Sequence, residues 1–112
     1  MIKIISSGEV VEVKFDNLQK LNVLVSDSIK SSLQKLFERP NAKVLINMDG
    51  IYFLDSSGFA AMLSISKAAN KNNGQIIFCN VSDSALDLFK VLQLHTVFNI
   101  IIDREEAIKS FR

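Results

Sequence analysis

Lys43-Val-Leu-Ile-Asn-Met-Asp-Gly-Ile-Tyr-Phe-Leu-Asp-Ser-Ser-Gly-Phe59 joins a short apolar run to two adjacent serines. Residues 43–48 form a short stretch built on the apolar run Val44-Leu-Ile46 and Met48, the pattern of a strand buried on both faces of a parallel sheet. Asp49-Gly50 turns the chain, and Ile51 to Leu54 carry it to Asp55-Ser-Ser-Gly58. Beyond Gly58, Phe59, Met62, Leu63, Ser66 and Ala69 recur at three or four residues, one face of a helix. Strand, turn and helix in that order point to an α/β fold.

The flanking sequence extends the alternation. Residues 2–5 and Val11, Val13 and Phe15 read as two strands joined at Ser6-Ser7-Gly8-Glu9, an antiparallel hairpin. Its inner face is Val11, Val13 and Phe15, with Glu12 and Lys14 turned to solvent. Asp16 to Lys20 reads as loop. Val25, Ile29, Leu33 and Leu36 form a helical stripe with Asn22 as its N-cap, ended at Arg39-Pro40. Asn72-Asn73-Gly74 stops the helix that follows the serines. Gln75 to Asn80 is a second buried strand, and Ser82 caps the next helix, whose apolar face is Leu86, Phe89 and Val91 or Leu92. Val97 to Ile102 is a third buried strand. Asp103 and Glu106 open a short last helix as a capping box. The expected fold is one small α/β domain over residues 1–112. It has a mixed sheet of about five strands with parallel centre, an antiparallel N-terminal pair, and about four helices. In such sheets, loops at the carboxyl ends of the parallel strands carry function, and Asp55 to Gly58 lies there.

Composition narrows the function. The 112 residues carry 13 basic and 12 acidic side chains, a balance that argues against direct nucleic-acid binding. The apolar runs are too short to span a membrane or to form a signal peptide, so a cytoplasmic location is expected and no membrane partner. The one cysteine, Cys79, excludes an internal disulfide and a cysteine-cluster zinc site, and its apolar surroundings describe a buried, inert thiol. No cofactor, metal spacing or small-molecule substrate is evident.

Three readings of Asp55-Ser-Ser-Gly58 stand. Asp55 or Ser56 caps the helix, which leaves Ser57 and the glycine unexplained. Ser57 as a nucleophile needs a general base, and the single histidine, His95, sits after the third helix where it suits the negative helix end. Ser57 as a phosphorylation site fits a helix N-terminus, where free amides and the dipole tolerate the added charge.

The strand Val44-Leu-Ile-Asn-Met48, the link to Leu54, Asp55-Ser-Ser-Gly58, and the run from Val81-Ser82 through Leu88-Phe-Lys-Val-Leu-Gln-Leu94 resemble a STAS domain. The resemblance is to the anti-sigma-factor antagonists and covers nearly the whole chain. It implies a non-enzymatic partner switch. The unmodified protein binds an anti-sigma factor with serine kinase activity and so frees a sigma factor. Phosphorylation of Ser57 blocks binding, and a serine phosphatase reverses it. The resemblance also implies that Asp55 shapes the turn, that Ser56 caps or makes a secondary contact, and that Gly58 lets the partner approach. Asp16 matches an acidic loop residue of the family, though Lys14-Phe-Asp-Asn17 departs from the usual glycine-x-leucine-aspartate pattern. Phe59 is expected either as an exposed apolar anchor for the partner or as a core residue. The alternative role is a non-catalytic STAS subunit of a lipid-type ABC transport assembly.

Overall fold

A computed structural model describes Met1–Arg112. Strands β1 (Ile2–Ser7) and β2 (Val10–Phe15) form the antiparallel hairpin. Gly8, with φ +62°, supplies the left-handed residue that a two-residue hairpin loop needs. β4 (Lys43–Asn47) adds to β2 in parallel, and β6 (Gln75–Cys79) adds to β4 in parallel, giving the order β1-β2-β4-β6. Two short strands absent from the sequence reading, β3 (Lys20–Leu21) and β5 (Phe53–Leu54), pair in a separate parallel ribbon. The helices are α1 (Ser26–Gln34), α2 (Ser56–Lys71), α3 (Asp83–Val91) and α4 (Arg104–Lys109).

The main core lies on one face of the sheet. Val13, Val44, Ile46 and Phe78 meet Ile29, Leu33, Met62, Ile65 and Phe89 from α1, α2 and α3. A smaller core of Leu45, Ile77, Cys79 and Ala107 fills the other face beneath α4. β4 is therefore buried on both sides, as its unbroken apolar run requires. Ser82 accepts the Ala85 amide at 3.2 Å, and Asp103 accepts that of Glu106 at 3.0 Å, so both expected caps are in place.

Four local expectations are corrected. Glu12 does not face solvent: it is 3% exposed, because α4 covers the face toward which it points. Its carboxylate accepts from Arg104 at 2.7 and 3.0 Å and from Asn47 at 2.9 Å, and these bonds hold its pKa below the usual range despite burial. Val97 to Ile102 is not a buried strand: it runs along β6 with a single bridge, Ile100 to Phe78, and Val97 and Ile102 are exposed. It is held by the Phe78 amide on the Asn99 carbonyl, the Ile101 amide on the Phe78 carbonyl and the Asn80 amide on the Ile102 carbonyl, each at 2.9 Å. Val91 and Leu92 are exposed at the end of α3, and Ala85 and Phe89 are its fully buried residues. Helix α1 begins at Ser26 without a side-chain cap. Asn22 instead accepts the Leu24 amide at 3.1 Å through its side chain, and its carbonyl takes the amides of Val25 and Ser26.

Candidate functional site

Helix α2 starts immediately after β5, and Asp55 makes that junction rigid. One carboxylate oxygen accepts the Gly58 amide at 2.9 Å, which is the N-cap bond. The other accepts the Val23 amide at 3.0 Å, and the Asp55 amide itself donates to the Leu21 carbonyl at 3.2 Å. One aspartate thus ties the first turn of α2 to the segment entering α1. The sequence predicted the cap but offered no sign of the second bond, which spans 32 residues.

Ser56 is exposed and Ser57 half-buried in the first turn of α2. Ser57 lines a recess of about 180 Å³ between α1 and α2, together with Val23, Ser26, Asp27, Lys30 and Ser64. The titratable groups in that lining are Asp27 and Lys30, and His95 is not among them.

Gly58 differs from the role the resemblance implied, and Phe59 takes the core alternative of its two expected roles. Gly58 is buried, and a Cβ there would overlap the Leu21 carbonyl oxygen and lie 3.1 Å from Leu21 C and Cβ. The glycine admits the backbone of β3, not a partner. Phe59 is 4% exposed and packs edge-on against Phe89 with ring centroids 5.0 Å apart. It is a core residue and cannot serve as a surface anchor. Asp16 is exposed at the carboxyl end of β2, its amide on the Met1 carbonyl at 2.7 Å. Since β2 and β4 run parallel, Asp16 shares the sheet end that leads to Asp55, but it does not line the recess.

The apolar exposure that Phe59 fails to provide comes from elsewhere. Val23 is 68% exposed and Leu24 is 86% exposed, in the turn held by Asp55 and Asn22. Tyr52 and Phe53 are also exposed where β5 pairs with β3. Val23 and Leu24 lie between Asn22, the expected N-cap, and Val25, the first residue of the α1 stripe, so the sequence placed them in the first turn of a helix.

The STAS domain model matches residues 7–107. The chain belongs to the STAS domain family. An anti-sigma-factor antagonist (STAS) domain protein from Planctomyces limnophilus superposes with a TM-score of 0.89 at 21% identity, covering 98% of this chain and 97% of that one. The Bacillus cell fate determinant SpoIIAA in its phosphorylated form gives a TM-score of 0.70 at 20% identity over 100% of both chains. A sulfate transporter family protein from Wolinella succinogenes gives 0.78 at 15% identity, covering 94% of this chain and 86% of that one. At these identities the likeness establishes the STAS fold. No helix of this STAS chain is long and apolar enough to cross a membrane.

Proposed function

We propose that this STAS protein is a phosphorylation-switched antagonist of an anti-sigma factor. With Ser57 unmodified, the end of the molecule around the first turn of α2 docks on an anti-sigma factor that is also a serine kinase, and a sigma factor is released. The kinase transfers the γ-phosphoryl group of ATP to the Ser57 Oγ, with loss of ADP and a proton, and docking ends. A serine phosphatase hydrolyses the ester and restores binding. The domain supplies no catalysis of its own.

The observation that carries this reading is Ser57 in a hydrogen-bonded helix start, sharing a recess with the exposed Val23, whose chain neighbour Leu24 is exposed as well. A turn whose amides are already bonded loses little freedom when a partner covers it. Its apolar side chains provide contact area, and one of them, Val23, lines the same recess as Ser57. A phosphate there carries a charge of about −1.5 to −2. Burying it unpaired against a partner costs several kcal/mol, and each step of about 1.4 kcal/mol is tenfold in affinity. The anti-sigma-factor antagonists among the structural neighbours support the same role.

The test is direct. The purified chain is incubated with its kinase and ATP, and the product is mapped by mass spectrometry and titrated against the kinase by calorimetry. One phosphate on Ser57 and a large loss of affinity are expected. Ser57→Ala should bind and resist switching, and Ser57→Asp should bind more weakly, by less than the phosphate does. Equal affinity of all forms would refute the switch. The second reading, a subunit of a membrane-transport assembly, draws on the fold shared with the transporter-family neighbours. It predicts co-purification with a transporter ATPase and no dependence on phosphate.

A further inference from the structure

The recess beside Ser57 has one cation in its lining, and that cation is poorly engaged. Lys30 on α1 places its ammonium 4.0 Å from a carboxylate oxygen of Asp27, and the Asp27 side chain is fully exposed. A pair at that distance, in water, holds the lysine only weakly. The lysine stem is long and its ammonium compact, so it turns easily to another acceptor on the same wall. The other polar groups are committed or neutral. Ser26 donates its hydroxyl to the Asn22 carbonyl at 2.6 Å and Ser64 is uncharged, while outside the lining both Asp55 oxygens accept amides.

We infer that Lys30 is the internal counter-ion of a phosphate on Ser57. The inference rests on Ser57 being the modified residue, as proposed above. The recess, at about 180 Å³, has room for a phosphoryl group. On modification Lys30 turns from Asp27 to the phosphate and ties α1 to α2 across the recess. Asp27 and Asp55 are the acids near that phosphate, and Lys30 is the side chain that offsets them. The modified domain then keeps its fold, and the charge that repels a partner is held at a defined place. Lys30 is a positioning residue for the phosphate and takes no part in the transfer.

The test installs phosphoserine at position 57 of the full chain during translation, so that no kinase is needed. The phosphate is titrated by ³¹P NMR at low salt in the natural background and in Lys30→Met, Lys30→Gln and Lys30→Arg. The two neutral variants should raise the apparent phosphate pKa by about 0.2–0.7, the range that an exposed ion pair supports. Lys30→Arg should restore the original value, and 1 M salt should erase the difference. Phosphoserine placed instead at Ser56, which is exposed and outside the recess lining, should not respond to Lys30. An unchanged phosphate pKa in both neutral variants overturns the inference, as does an equal response at position 56. Because the phosphate is built in, such a failure leaves partner switching intact. Failure of a kinase to label Ser57 would leave this titration standing.

Discussion

Replacing Gly58 by alanine separates two explanations of that glycine by the sign of the result. Local helix propensity favours alanine by about 1 kcal/mol. The tertiary structure opposes it. The new methyl would overlap the Leu21 carbonyl oxygen and press on Leu21 C and Cβ at 3.1 Å. Those are mainly backbone atoms of β3, so rotamer adjustment cannot relieve the contact. Overpacking of this kind costs about 1–3 kcal/mol. The same carbonyl accepts the Asp55 amide at 3.2 Å, and displacing it loses a further bond of about 1 kcal/mol. The lost bond and the propensity gain cancel, leaving a net destabilisation of about 1–3 kcal/mol. With a urea slope near 1–2 kcal/mol/M for a small domain, the midpoint should fall by about 0.5–3 M. The assay is equilibrium urea unfolding followed by far-ultraviolet circular dichroism. A midpoint equal to or above that of the parent would refute the account.

Other substitutions probe the remaining parts. Leu24→Ser, at a side chain 86% exposed, should leave stability within about 0.5 kcal/mol and weaken partner binding at least tenfold, read by calorimetry. Arg104→Met strips Glu12 of its cation while Asn47 remains. Allowing for the partial exposure of Arg104, it should cost about 1–3 kcal/mol at pH 7 in urea unfolding. Because the folded pKa of Glu12 lies below its ordinary value of 4.5, the pair's contribution is present above that pH and disappears as pH falls through the folded value. The parent should therefore lose its advantage over Arg104→Met on acidification, and a pH-independent gap would contradict the pairing. Cys79, its thiol pushed up to about 11 mainly by burial, should resist a disulfide reagent at pH 8 until urea unfolds the chain.

Much of the fold was legible because its signals are local. The unbroken apolar run at 44–46 specifies a strand covered on both sides, and the cores on the two faces of β4 bear this out. The caps at Ser82 and Asp103 were legible because each bonds an amide three residues away. Asp55 and both serines were placed correctly at the start of α2 for the same reason. What escaped depends on what packs from a distance. Glu12 alternates like a solvent-facing residue, yet α4, 92 residues later, brings Arg104 over it. Gly58 looked available to a partner and Phe59 stood open between surface and core, because only the placement of β3 and α3 shows that their space is filled. Val23 and Leu24 looked like helix residues, and the Asp55 bond to the Val23 amide holds them out in water. Periodicity and capping act within a few residues and can be read along the chain. Coverage of a face requires two distant segments to meet, and the order of residues alone does not say which will.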